Sequence, residues 1–318
     1  MDLSVITVSY NTRELLRACL ASVISTLRSP VDYELVVVDN ASADGSAAMV
    51  REQFSPVRLV CNAENRGFAA ASNQGLEQSL GQNLILLNPD TVVRIGALEG
   101  MSRVLDERAD VGAVGPKLVF PDGGFQHSAF AFPTLPMIFL DFFPLHHRLL
   151  DSRLNGRYPR EWYERGDPFP IDHPLGAALM VKRTVIDDVG LLDEGFFMYC
   201  EEIDWCLRIK QAGWQILCDP QAEVVHHVGQ STGQFKDEMY VELHKSRYRL
   251  YEKHYGPLFR RVARWLVKLG ISYQERQACH EASKGRLEQG ALQRRLQAYR
   301  EIRALSYVRL ECPTSLGD

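Results

Sequence analysis

Four stretches of this chain hold side chains whose types and spacing can do chemistry. Residues 83–90 read NLILLNPD, four apolar residues from Leu84 to Leu87 followed by Asn88, Pro89 and Asp90. An uninterrupted apolar run of that length marks a strand buried on both faces. Pro89 has no N–H to give to a ladder, so the strand should stop there and leave Asp90 at its carboxyl end. One carboxylate at such a place suits a divalent metal, or a phosphate held through one; the plain alternative is an aspartate in a turn. Asp39 and Asn40 close the run 35–38, and Asn65, Arg66 and Gly67 follow the run 57–61. Asp39 can accept a hydrogen bond from a base N–H, and Arg66 can neutralise a diphosphate. Glu201, Glu202 and Asp204 open a helical pattern, where carboxylates also favour the helix dipole. His226 and His227 end a strand-like run, where a histidine serves either the core or a metal.

The elements that must position these residues alternate regularly. Strand patterns over 3–10, 35–38, 57–61 and 83–88 are separated by helical patterns ending near residues 25, 54 and 80. A helix over 95–107 and a short strand over 111–114 follow. This βαβαβαβ order predicts an α/β fold with a doubly wound, mostly parallel sheet. Ser9, Tyr10 and Asn11 then join Asp39, Asn65 and Asp90 in one crevice at the carboxyl ends of the strands. No GxGxxG follows the first strand and no GxxxxGK[ST] occurs, so dinucleotide oxidoreductases and P-loop enzymes lose their main support. After Pro116 the rhythm breaks. Residues 120–124, FPDGG, read as a hairpin tip. The apolar stretch 134–150 is interrupted by Pro136, Asp141 and Pro144, and is expected as a core insert, a lid or an interfacial segment. Strands are predicted over 176–181, 215–218 and 223–227, with a helix over 202–212 between the first two. From about 241 the chain reads as helical to near 310.

Composition bounds the class. The 318 residues are 46% hydrophobic and 24% charged, which is ordinary for a globular protein. No run approaches the ~20 apolar residues of a membrane span, and MDLSVITVSYN enters a strand pattern with no basic leader, so a cytoplasmic location is expected. Seven scattered cysteines without a CxxC pair fit reduced thiols and no zinc site. The net charge of −4 conceals an asymmetry. Residues 1–243 carry 20 Lys and Arg against 33 Asp and Glu, whereas 244–310 carry 16 against 5. A basic tail on an acidic body points to an anionic partner for the tail.

The stretches VITVSYN, VVVDNASADGS, NAENRGFAAASNQG, LLNPD, GAALMVKR, GLLDEGFFMYCEEIDWCLR and VVHHVGQS follow one another between residue 3 and about 255. As a set they resemble family 2 glycosyltransferases, and within them rhamnosyltransferase-like members. The resemblance implies a GT-A fold with a mostly parallel, Rossmann-like sheet, a nucleotide-sugar donor, Mg²⁺ or Mn²⁺, and inversion at the transferred sugar carbon. By position it places Ser9 and Asn11 in the nucleotide pocket and Asp39 on a pyrimidine base. Asn65, Arg66 and Gly67 would face ribose and diphosphate, with Asn88 beside them. Asp90 matches the last acidic residue of the family's DxD signature, which here reads Asn88-Pro89-Asp90. Glu202 stands where the family's Glu-Asp-x-Asp pattern has its general base, with Glu201 and Asp204 as alternatives on the acceptor side. His226, before His227, matches a metal-binding histidine. Gly229, Gln230, Ser231 and Thr232 would form a loop near the diphosphate. Gly176 and Ala177, led by Asp172 and His173, would make room for the acceptor, and Asp193 and Glu194 would cap the turn before Phe196.

Residues 1–116 are therefore expected as a nucleotide-sugar-binding half, 117–255 as the acceptor-binding and catalytic half of the same domain, and 256–318 as a basic helical C-terminal extension. The expected reaction moves a sugar, L-rhamnose from dTDP-rhamnose, to a hydroxyl of a glycan or lipid-linked glycan in cell-surface polysaccharide synthesis. Use of another UDP- or GDP-sugar, a nucleotidyltransferase and a non-catalytic sugar-nucleotide binder stay open. No nucleic-acid partner is expected. In the tail, Phe259, Val262, Ala263, Leu266 and Val267 fall on apolar spacing with Arg260, Arg261, Arg264 and Lys268 between them. That helix would pack on the body, form a homodimer, or make peripheral contact with the inner face of the cell membrane.

Overall fold

The computed structural model describes residues 1–27, 31–55, 57–227 and 236–305. Gly229 to Thr232, and the expected end of the last helix at 306–310, lie outside the described residues. In chain order the elements are β1 (Leu3–Ser9), α1 (Arg13–Thr26), β2 (Tyr33–Asp39), α2 (Ser46–Gln53), β3 (Arg58–Cys61), α3 (Phe68–Gln78), β4 (Asn83–Leu87), β5 (Thr91–Val93), α4 (Ala97–Glu107), β6 (Val111–Val119), β7 (Phe125–Gln126), β8 (Ala129–Phe130), α5 (Leu135–Phe142) and α6 (His147–Leu150). There follow α7 (Arg160–Glu164), β9 (Phe169–Pro170), β10 (His173–Pro174), β11 (Ala178–Lys182), α8 (Arg183–Val189), α9 (Glu201–Gln211), β12 (Gln215–His226), α10 (Lys236–His254), α11 (Pro257–Ser283) and α12 (Gln289–Leu305). The chain divides into two compact units. The first holds Met1–Phe132, Arg157–Phe197 and the described residues of Glu201–Gln234; the second holds Pro133–Gly156, Met198–Cys200 and the described residues of Phe235–Asp318.

In the first unit the main sheet runs β3-β2-β1-β4-β11-β6-β12-β5. The β3-β2-β1-β4 block is parallel, as the alternation of patterns predicts. Its strands alternate between two cores because successive side chains point to opposite faces. Val5, Ile85 and Met180 meet Cys19, Val23, Leu98 and Met101 of α1 and α4. Ile6, Leu84, Leu86, Leu179 and Val181 meet Val185, Trp205 and Ile209 of α8 and α9. With both faces covered, an apolar run with no polar interruption is the stable solution.

The second half of the sheet departs from the simple pattern. β11 lies antiparallel between β4 and β6. β6 does not end before Pro116 but runs on to Val119 and turns through residues 120–124 into β7, with Phe120 N donating to Gly124 O at 2.7 Å. The strands expected over 215–218 and 223–227 are one strand, β12, whose register shifts between Asp219 and Glu223 opposite Pro116 and Lys117. Pro116 cannot donate to the ladder, and the bulge in its partner absorbs the gap.

In the second unit, the stretch 134–150 is packed through one side of α5, while Pro144 to Arg148 are exposed. Ile138, Leu140 and Phe142 of α5 are buried, and Pro136 sits in its first turn, where its missing N–H costs nothing. Phe142 lies so close to Gly270 that a Cβ there would stand 2.0 Å from its ring. Ala263, Leu266, Val267 and Ile271 of α11 are buried, so the apolar face read from the sequence is used up in packing. Among the described residues no helix is long and apolar enough to cross a membrane.

Candidate active site

At the carboxyl ends of β1 to β3 the polar side chains hold one another. Asn40 donates from Nδ2 to Asn65 Oδ1 at 2.8 Å and to Gly67 O at 3.2 Å, and its Oδ1 accepts from Asn62 Nδ2 at 2.9 Å and from Arg66 N at 3.1 Å. Ser9 Oγ lies 2.9 Å from Thr12 Oγ1, and Asn11 Oδ1 accepts from Ala43 N at 2.8 Å. Asn11 and Ala41 adopt the left-handed region, with φ of 53° and 69°. Gly67 has φ 82°, and a Cβ there would meet Phe197 O at 2.6 Å, so only glycine lets these backbones approach. The Arg66 side chain is exposed. Asp39 differs from its neighbours. Its Oδ2 accepts from Ser42 N at 3.1 Å, but among the described residues its buried Oδ1 has no partner.

At the end of β4, Asn88 N donates to Ala177 O at 2.9 Å, and Asp90 O accepts from His227 N at 2.8 Å. The short strand β5, which the sequence reading missed, pairs Thr91 with His226 in β12. These ties bring Asp90 Oδ1 to 3.7 Å from His226 Nε2. Both side chains are buried, and among the described residues neither Asp90 Oδ1 nor Asn88 Oδ1 accepts a hydrogen bond. Burial pushes the Asp90 carboxyl up and the His226 imidazolium down, and each effect is partly offset by the other's charge. The imidazole is therefore uncharged at neutral pH, and the contact is neither an ion pair nor, at that distance, a hydrogen bond.

Among the described residues Asp90 Oδ1 thus has no hydrogen-bond partner and lies 3.7 Å from the imidazole Nε2. That donor set fits a Mg²⁺ or Mn²⁺ ion whose other positions are filled by phosphate oxygens and water. Among the described residues no cluster of three His, Cys, Asp or Glu side chains forms a complete cage. The sequence reading also missed Gln126, whose Nε2 lies 3.0 Å from His226 Nδ1 while its Oε1 has no partner. In this orientation the amide donates to Nδ1 and leaves the proton on Nε2. Turned over, Oε1 accepts from Nδ1–H and Nε2 offers its lone pair. Nothing local marks Gln126, which lies 100 residues from His226 on a two-residue strand.

The three carboxylates of α9 separate into different roles. Asp204 is fully buried and accepts from Arg208 Nε at 2.9 Å, and Arg208 also donates to Leu191 O at 2.7 Å. It braces the helix against the preceding turn. Glu201 is buried, and desolvation, then the charge of Glu202, hold its carboxyl well above the usual range. Glu202 is half-buried, and its carboxyl carbon stands 3.4 Å from where a Gly176 Cβ would be. Gly176 thus keeps open the space beside that carboxylate, while Ala177 is buried. Around it, His173 stacks with Phe130 and Phe132 at 5.9 and 6.0 Å, and burial lowers its pKa to about 4. Asp172 accepts from Lys210 Nζ at 2.7 Å, Asp193 from Gly195 N at 2.9 Å, and Glu194 from Asn73 Nδ2 at 3.1 Å.

Comparison with known proteins gives the family and the fold. The model of glycosyl transferase family 2 matches residues 4–186. An N-acetylglucosaminyl-diphospho-decaprenol L-rhamnosyltransferase of Mycobacterium tuberculosis is 28% identical over 283 residues, covering 84% of this chain and 89% of that protein. The dTDP-rhamnosyl transferase RfbF of Shigella flexneri is 26% identical, covering 66% of this chain and 64% of its own. The mannosyltransferase PcManGT of Pyrobaculum calidifontis, solved with GDP-Man and Mn²⁺, superposes with a TM-score of 0.56 at 18% identity over 96% of this chain and 83% of its own, a likeness of fold. The chain belongs to glycosyl transferase family 2 and is a glycosyltransferase of the GT-A fold.

Proposed function

We propose that the chain transfers a sugar from a nucleoside-diphosphate donor to an acceptor hydroxyl with inversion, and that Asp90 with His226 anchors a divalent cation on the diphosphate. One observation carries the reading: a buried carboxylate oxygen without a partner, 3.7 Å from an uncharged imidazole, at the strand edge. Asp39 Oδ1, also without a partner, accepts from a pyrimidine N–H. Arg66 offers an exposed guanidinium to the diphosphate. Glu202 takes the proton of the acceptor hydroxyl as that oxygen bonds to the anomeric carbon, and the bond from that carbon to the diphosphate breaks on the opposite face. A bound cation would neutralise charge on the leaving diphosphate. Glu201 and Asp204 are poorer candidates here, the first being buried and the second held by Arg208.

The names of the Mycobacterium and Shigella relatives support L-rhamnose from its dTDP donor as the sugar, and a lipid-linked glycan of cell-surface polysaccharide synthesis as the acceptor. Thermal unfolding with a panel of nucleotide sugars and Mg²⁺ or Mn²⁺ tests the donor. dTDP-rhamnose with metal should raise the melting temperature by mass action more than UDP- or GDP-sugars. Donor binding without turnover over a broad acceptor panel would reduce the chain to a sugar-nucleotide binder.

A further inference from the structure

Helix α11 has two apolar faces, and among the described residues only one is covered. Ala263, Leu266, Val267 and Ile271 point into the second unit. On the opposite side Leu258, Trp265 and Leu269 are 73, 59 and 42% exposed, and Tyr273 follows at 44%. Their spacing of seven, four and four residues sets them along one stripe. Tyr273 touches Phe143, with ring centroids 5.3 Å apart, and Phe143 touches Phe139, itself 36% exposed, so the stripe widens into a patch with α5. A tryptophan and two leucines in water over four helical turns are not a stable resting surface for a monomer.

The charge beside the stripe identifies what covers it. Arg261, Lys268 and Arg276 share or flank this face, and α11 carries five Arg or Lys against the acidic Glu275 and Glu281. Those two are already met by cations of α12: Glu275 by Arg303, and Glu281 by Arg295 at 4.0 Å. The face therefore presents apolar and aromatic groups in a positive field. A second copy would set positive against positive, whereas an anionic lipid surface offers both an apolar layer and counter-charge.

We propose that the Leu258–Trp265–Leu269–Tyr273 face of α11 docks flat on an anionic lipid bilayer, with Trp265 at headgroup depth. The proposal does not depend on the catalytic reading, because docking is measured without donor or acceptor. The experiment is co-sedimentation of the full chain with phosphatidylcholine vesicles, with and without phosphatidylglycerol, together with tryptophan emission. The chain should pellet with the anionic vesicles, release in high salt, and show a blue shift that Trp265→Phe abolishes. Trp265→Ser with Leu269→Ser should weaken binding about tenfold or more. Arg261→Glu with Arg276→Glu should do the same, and this pair keeps the test open should the first unfold. Failure to pellet with anionic vesicles at low salt would overturn the proposal, as would undiminished binding in both folded double variants. So would a wild-type dimer by light scattering that Trp265→Ser dissolves.

Discussion

Two edges of the same sheet use the same kinds of side chain in opposite ways. At the ends of β2 and β3, Asn40, Asn62 and Asn65 exchange hydrogen bonds until each is engaged. At the ends of β4 and β12, Asp90 and Asn88 keep buried oxygens without partners, beside a histidine whose far nitrogen is held. Buried polar groups are normally satisfied, since leaving one unmade costs on the order of 1–3 kcal/mol. The asparagine cluster is therefore scaffold that shapes a crevice, whereas the unpartnered oxygens, Asp39 Oδ1 beside that cluster and those of Asp90 and Asn88 at the second edge, are addressed to something that binds. An unpartnered atom is not enough by itself: His244 in the second unit has both ring nitrogens unpartnered, but it is enclosed by Phe142 and Tyr240. What marks the site is unpartnered donor atoms converging at the carboxyl ends of strands.

The largest effect should come from Glu202→Gln, which removes the half-buried α9 carboxylate beside Gly176. Turnover should fall by roughly 10²–10⁴ with an unchanged melting temperature; activity near wild type would move the base elsewhere. The next contrast pits the two edges against each other. Asn40→Ala should cost roughly 2–3 kcal/mol of stability, because it strips partners from Asn62, Asn65 and Arg66 N. Asp90→Asn should cost no stability, since it relieves a buried carboxylate, and should abolish metal-dependent turnover. Chemical denaturation of both variants reads the difference, and equal losses would erase the distinction between the edges. Gln126 sharpens the second edge further. Gln126→Leu should weaken metal binding by about 10–100-fold, while Gln126→Glu, which accepts from Nδ1–H in any orientation, should keep or strengthen it.

The smallest effect concerns His244. Burial, with the charge of Arg247, holds its pKa near 3 in the folded chain, below the ordinary 6.5. A depressed folded value means that its contribution is intact above about pH 6.5 and is lost as pH falls towards 3. His244→Leu should flatten that part of the stability profile and leave pH 7 turnover alone. His173, lowered in the same direction to about 4, will keep some acid lability in the variant.

The parallel block was legible because its strands are buried on both faces and carry almost unbroken apolar runs. Asp39 and Asp90 could be placed at strand ends for the same reason. The antiparallel entry of β11 was not legible, because register there depends on pairing over about 90 residues of separation, Ala178 with Leu87. The strand was expected only over 111–114, with the rhythm breaking after Pro116, and the bulge that accommodates that proline lies in β12, about a hundred residues on. β5 is three residues long and gives no periodicity to detect, although its pairing of Thr91 with His226 is what brings Asp90 to the histidine. The resemblance put Glu202 first among the three carboxylates of α9, with Glu201 and Asp204 as alternatives, whereas the grip of Arg208 on Asp204 and the depth of Glu201 depend on tertiary packing. In α11 the apolar spacing was right, but it marked the packed face, and the exposed stripe one-third of a turn away went unread.

The central claim is that the unpartnered oxygen of Asp90 belongs to a cation shared with a nucleoside diphosphate. Calorimetric titration of Mn²⁺ into the dTDP-saturated protein, wild type against Asp90→Asn, tests it most directly. The account predicts a saturable site in the wild type, absent without dTDP and lost in Asp90→Asn while the fold persists. Equal Mn²⁺ binding in the two proteins would contradict it.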